Sequence, residues 1–249
     1  SSNIDLVLDR AGAKFNASTS AEVVCVSAQV VSGKAELICK LIIDALINPV
    51  INKKVLENEK KVVLEELKKT WDRKEGYLWM NTAKNVFKNH FLSNYPIGEE
   101  EDIMKADVKA IRDYHKKFFI PNETLFVCTG NINHKKLRAI IKKETKKWKV
   151  FINSKKEASQ ITEFLPDKNS KKNIIIPIQG LSNYISLSIL TGKLSFRELI
   201  SLDIIVNYLG YRHTSLLYGE LRRRLGLVYS VSVFNMSFRE ACLLYIITS

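Results

Sequence analysis

Long apolar runs are missing from this sequence of 249 residues. None approaches the roughly 20 residues that carry a helix across a bilayer, so no membrane role is expected. No two of the four cysteines, Cys25, Cys39, Cys128 and Cys242, form a Cys-x-x-Cys pair, which excludes a zinc knuckle and a dithiol redox motif. Buried thiols in a reducing compartment are expected instead. No Gly-rich dinucleotide loop follows any strand-like stretch. The first residues, Ser1-Ser2-Asn3-Ile4-Asp5, include neither a starter Met nor a basic-then-apolar signal segment. Three Asn-x-Ser/Thr triplets, at Asn16, Asn122 and Asn235, are taken as chance matches, since nothing else suggests secretion.

Acidic residues are also scarce relative to basic ones, 26 against 39, giving a formal charge of +13. Lysine dominates that excess, in pairs such as Lys68-Lys69, Lys116-Lys117, Lys142-Lys143 and Lys146-Lys147. A nucleic-acid surface would use such charge to release counterions. These lysines instead recur at helical spacing opposite apolar residues, the pattern of solvated helix faces, and no nucleic-acid-binding signature accompanies them. No nucleic-acid partner is expected, and a basic nucleic-acid-binding protein is kept only as the least favoured rival function. What remains is a globular composition, 46% hydrophobic and 26% charged. Its Lys-, Ile- and Asn-rich character and free cysteines favour a cytoplasmic setting.

Strand-like and helical stretches alternate along the chain. A helix over Asn3–Arg10 stops at Gly12. Strands are expected at Lys14–Ser18 and Val23–Val31, then helices over Ala35–Ile47, Lys53–Trp71 and Tyr77–Phe91. A helix over Asp107–Phe119, with Asp107 as cap, precedes the breaker Pro121-Asn122. A strand at Thr124–Thr129 and an amphipathic helix over His134–Trp148 close this part. A polar linker at 153–172 separates residues 1–152 from 173–249. Beyond it, strands at Tyr184–Leu190, Val228–Phe234 and Leu243–Thr248 flank helices at Ser195–Leu209 and Thr214–Arg224. The class is α+β.

Two constellations carry candidate chemistry. On a wheel of the Lys53–Trp71 helix, with Leu56 at zero and ~100° per residue, Glu59 and Glu66 fall near 300° and 280°. Val62 and Val63 flank them, so both carboxylates are expected on the face the helix buries. There each needs a partner: a salt bridge from another element, or a metal ion bound by one and supported by the other. The second constellation is Tyr208–Gly210, Thr214–Leu217 and Gly219–Ser230, where Gly226 ends a helix and Tyr229 opens a strand. Arg222 and Tyr229 stand either side of this turn, a cation and a phenol able to grip a carbonyl or a developing oxyanion.

Taken together, these motifs resemble the pitrilysin/insulinase/mitochondrial-processing-peptidase family of inverted-motif zinc peptidases. Glu57-Asn58-Glu59-Lys60-Lys61-Val62-Val63-Leu64-Glu65-Glu66 is similar to the family's downstream metal-ligand helix. Matched residue by residue, Glu66 takes the place of a zinc ligand and Glu59 that of its supporting carboxylate. Gly12-Ala13-Lys14-Phe15-Asn16-Ala17-Ser18-Thr19 resembles the substrate-binding edge strand, which implies contacts from Phe15, Asn16, Ala17, Ser18 and Thr19. Pro121-Asn122 and Leu125 to Asn131 resemble the stretch closing the family's first domain. Arg222 and Tyr229 match its substrate-gripping pair.

The resemblance implies two related αβ domains of the processing-peptidase type, both incomplete here, enclosing a peptide chamber. It implies a zinc-dependent metalloendopeptidase in which an extended peptide adds beside Phe15–Thr19. Zinc would polarise the scissile carbonyl and activate water. The departure is the family's His-x-x-Glu-His motif, which this chain lacks: His90, His115, His134 and His213 are scattered, and none has another at +4. Truncation is the expected reason, and this chain alone is expected neither to bind zinc tightly nor to cleave peptides. A non-catalytic partner subunit or peptide-binding scaffold of the same family is the alternative. A self-sufficient enzyme and one half of a homo- or heterodimer both remain open.

Overall fold

The computed structural model describes residues 2–88, 90–148, 173–177 and 183–249; the linker expected at 153–172 lies outside them. The chain separates into two compact units, one of residues 1–64 and 99–156, the other of 65–98 and 157–249. Helices and antiparallel strands are segregated rather than interleaved as βαβ repeats, so the class is α+β.

In the first unit, helix α1 (Ser2–Arg10) is stopped by Gly12, whose φ of +62° lies where only glycine is unstrained. Leu8 and Ala11 then bury against Ile38 of helix α2 (Ala35–Ile47), with Ala28, Leu41 and Ile42 around them. Strand β1 (Lys14–Thr19) pairs antiparallel with β2 (Val24–Gln29), from Lys14 opposite Gln29 to Thr19 opposite Val24. Ser20 closes the hairpin, its Oγ accepting from Val23 N at 3.1 Å. Helix α3 (Lys53–Asp72) starts with Asn52 Oδ1 accepting from Val55 N at 3.0 Å. After the short α5 (Glu100–Lys105), α6 (Val108–Phe118) is capped by Asp107, whose Oδ1 accepts from Ala110 N at 2.7 Å. Arg112 and His115 of α6 donate to the carbonyls of Ile51 and Leu46 at 2.7 and 2.8 Å. Helix α7 (His134–Glu144) packs on α2, and Trp148 beyond it donates to Phe119 O at 3.0 Å.

The second unit is a three-layered arrangement. Strands β3 (Ile185–Gly192), β4 (Val231–Ser237) and β5 (Ala241–Thr248) form an antiparallel sheet in the order β3-β5-β4. Helix α4 (Lys74–Val86) covers one face, where Trp79 meets Tyr245 edge-on at 5.2 Å. Just past the helix, Phe87 meets Phe238 at 5.4 Å. The other face takes helix α8 (Phe196–Val206), whose Asp203 accepts from Asn235 Nδ2 at 3.0 Å. Gly210 approaches this face so closely that a Cβ there would lie 2.2 Å from Val233 Cγ2. Ser195 caps α8 in a reciprocal box with Glu198.

Several expectations shift. Thr124–Thr129 is not a strand: no strand pairs with it among the described residues, and Leu125 and Val127 are exposed. Its β-rich composition has no ladder to enter. Helix α4 begins at Lys74 rather than Tyr77, because Gly76 in its first turn permits close approach; a Cβ there would sit 2.6 Å from Thr70 O. The helices expected to reach Leu209 and Arg224 turn into wide π segments at Asn207–Tyr211 and Tyr218–Arg224. Nor are the thiols uniformly buried. Cys25 on β2 and Cys128 are exposed, Cys39 is half-buried and Cys242 buried. Burial pushes the Cys39 thiol upward, with Cys128 and Glu144 adding to the effect.

Candidate functional site

Glu59 and Glu66 both lie on α3, one helix as expected, but both are exposed rather than buried. The face that α3 covers is narrower than its apolar arc. Leu67 is buried, and Leu56, Lys60, Val63 and Trp71 are half-buried, a stripe centred some 20–30° from Leu56. Val62, counted with that arc, is 52% exposed and marks the uncovered flank on which both glutamates sit. Neither carboxylate has an ion-pair partner among the described residues. The salt-bridge alternative is therefore not realised, and burial gives no reason for a metal.

The residue the wheel overlooked is Lys60. Its side chain is only 12% exposed, and Nζ donates to Glu57 Oε1 at 3.3 Å and to Met104 O at 3.0 Å. The Lys60 stem packs with the apolar stripe while its ammonium reaches out to those acceptors, which a simple polar-versus-apolar assignment does not anticipate.

Phe15, Asn16, Ala17, Ser18 and Thr19 fall together on β1, every one exposed. One side of β1 is bonded to β2, and no other strand pairs with it among the described residues. Its second edge thus presents alternate N–H and C=O groups, a template for an added strand.

Arg222 and Tyr229 are brought into contact. The Arg222 guanidinium carbon lies 4.5 Å from the centre of the Tyr229 ring, a cation–π stack. Arg222 Nη1 also donates to Val228 O at 3.2 Å. The turn that allows this is set by Gly226, with φ of +62°, and by Leu225 N donating to Glu220 O at 3.0 Å. That bond spans five residues, the π-helical step. The same step stacks residues five apart, which is how Arg223 comes over the Tyr218 ring at 5.6 Å. Tyr229 is held by its backbone, N donating to Ser249 O at 2.6 Å, while its side chain is 77% exposed. The pair is a preformed donor cluster with an accessible phenol.

A zinc centre needs three protein ligands at least. Among the described residues no group of three His, Cys, Asp or Glu side chains is placed to hold a metal ion. His90, His115 and His213 are engaged elsewhere, against Phe91, Leu46 O and Tyr218. The residues present do not by themselves fit the ion.

The chain is thus α+β, with two exposed glutamates on one flank of α3, a β1 edge unpaired among the described residues and an Arg–Tyr pair in its second half. Residues 1–100 match the model described as insulinase (peptidase family M16), and residues 105–249 match that of the peptidase M16 inactive domain. The chain belongs to the insulinase, or M16, family of peptidases. It is 26% identical over 241 residues to the uncharacterized zinc protease YmxG of Bacillus subtilis, covering 96% of this chain and 56% of that protein. Over 229 residues it is 23% identical to the uncharacterized zinc protease Rv2782c of Mycobacterium tuberculosis, covering 92% and 52%. The chain thus spans about half the length of these relatives. In fold it resembles a protease from Helicobacter pylori, with a TM-score of 0.81 at 19% identity over 98% of this chain and 59% of that one. Pitrilysin is similar too, with a TM-score of 0.60 at 17% identity over 99% of this chain and 27% of that one.

Proposed function

We propose that this chain is the part of a zinc-dependent metalloendopeptidase that receives the peptide and supplies one metal ligand, acting on peptides or small unfolded proteins in an enclosed chamber. The observation that carries this reading is the Arg222–Tyr229 stack, a cation and an exposed phenol held together where a substrate carbonyl needs donors. The open edge of β1 is the second support. A peptide laid beside Phe15–Thr19 gains main-chain hydrogen bonds, and the alternating side chains of β1 sort its residues.

In this reading Glu66 is the zinc ligand and Glu59 orients it, as their exposure on one flank of α3 allows. The remaining ligands and the general base come from a His-x-x-Glu-His segment outside this chain, or from a partner chain in a homo- or heterodimer. Alone, the 249 residues neither hold zinc tightly nor cleave peptide.

The test is the complete reading frame. Purified with zinc, it is expected to cleave a quenched fluorescent peptide, and Glu66→Gln is expected to lower kcat/KM by about a hundredfold or more. Full activity in Glu66→Gln removes the ligand assignment. A frame that lacks the motif and stays inactive with any partner chain points to the non-catalytic subunit.

A further inference from the structure

Within the first unit, the opening turns of α3 and the junction between α5 and α6 border an open cleft of about 460 Å³. That volume is within the range of small-molecule sites. On the α3 wheel its lining residues Leu56, Lys60, Lys53 and Glu57 run along one side of the covered stripe and past its edge, away from the flank that bears Glu59 and Glu66. It therefore does not belong to the metal-site face. Four lysines line it, Lys53, Lys60, Lys105 and Lys109, against two carboxylates, Glu57 and Asp107.

Both carboxylates are committed. Glu57 accepts from Lys60, and Asp107 caps Ala110 N at 2.7 Å. Lys105 is engaged outside the cleft by Glu101, an exposed pair that exchanges readily with solvent. Lys53 and Lys109 have no carboxylate partner among the described residues. Lys60 forms part of the lining with its side chain 12% exposed, and an ammonium offers three hydrogens where Lys60 has two acceptors. The first turn of α3, a helix of 20 residues capped by the neutral Asn52, adds positive potential, whereas that of α6 is offset by the Asp107 carboxylate.

We propose that this cleft is a binding site for a small di- or polyphosphate. Lys53 and Lys109 contact the anion from opposite walls, with Lys60 beneath it. Ammonium groups act as point charges on phosphate oxygens, so spacing rather than planar pairing governs the fit. A bound anion ties the start of α3 to residues 105–109 and stiffens the helix that carries Glu59. The site stands whether or not the chain is part of a peptidase, since it uses no residue assigned to metal or peptide.

Sodium pyrophosphate titrated calorimetrically into the 249-residue chain is the probe, at low ionic strength of about 50 mM. One saturable site is expected. Lys53→Glu combined with Lys109→Glu is expected to weaken it at least about tenfold. The milder Lys53→Gln with Lys109→Gln, whose melting curve checks the fold, should weaken it in the same direction. Lys146→Glu with Lys147→Glu removes equal charge from an exposed turn beyond α7 and is expected to change affinity less than about twofold. Absence of saturable binding overturns the proposal. So does equal loss in the Lys146/Lys147 variant, which marks unspecific attraction to a basic chain. Citrate binding more tightly than pyrophosphate overturns the phosphate assignment.

Discussion

Two antiparallel pairings in this chain are built on opposite principles. In β5 of the second unit, Ala241, Cys242, Leu243 and Tyr245 are each at most 1% exposed, because helices lie on both faces and strands on both edges. In β1 of the first unit, all six residues are exposed and one edge is unpaired among the described residues. The first arrangement concentrates apolar burial, the dominant favourable term in folding. The second keeps backbone donors and acceptors accessible, the condition for adding a peptide strand. Stability thus rests on one strand, and the recognition proposed here on the other.

Truncation at matched positions breaks this comparison most directly. Leu243→Ala is expected to cost about 3–5 kcal/mol, the range for a fully buried leucine whose cavity cannot collapse. Phe15→Ala, at 44% exposed, is expected to cost no more than about 0.5–1 kcal/mol. Urea midpoints with unchanged m-values read both, and comparable losses would show that β1 is part of the folding core. Next in size is Gly210→Ala. Its Cβ has no room beside Val233, so overpacking of about 1–3 kcal/mol is expected. Val233→Ala in the same background should recover part of that loss.

Asp107→Ala removes the α6 cap and is expected to cost about 1 kcal/mol, while Asp107→Asn should keep most of it. The smallest effect is a pH dependence at α8. The hydroxyl and backbone N–H of Ser195 hold the Glu198 carboxyl below its usual range. A depressed folded pKa gives stability present above the unfolded value of about 4.3, lost as pH falls through the folded one. Melting temperature should therefore fall slightly more steeply below pH ~4 in the parent than in Ser195→Ala. Identical profiles would remove Glu198 from the acid response.

Much of this was legible in the residues. Apolar spacing located α2 and α3, and Asp107 and Gly12 announced a cap and a stop that the backbone bears out. Arg222 and Tyr229 were singled out as a pair by the family resemblance, and the turn at Gly226 does put them in contact. The exposure of Glu59 and Glu66 was not legible, and the wheel pointed to burial instead. A wheel reports which residues share a direction, whereas exposure depends on what another element places there. Lys60 shows the converse, a charge kept on the covered side by acceptors that include a carbonyl 44 residues away. The π segments escaped too, because a wider turn leaves no mark in a pattern read at 3.6 residues.

In the role proposed for the Arg222–Tyr229 pair, the stacking of Arg222 bears on how sharply it discriminates. A free arginine side chain samples many rotamers, worth about 2 kcal/mol of entropy. Here the guanidinium rests on the Tyr229 ring and on Val228 O before any ligand arrives. A carbonyl meeting it does not have to freeze that motion, so more of the contact energy appears as affinity. The same rigidity works against a misplaced carbonyl. A floppy arginine would follow it, but one seated on two supports must give up a contact to do so.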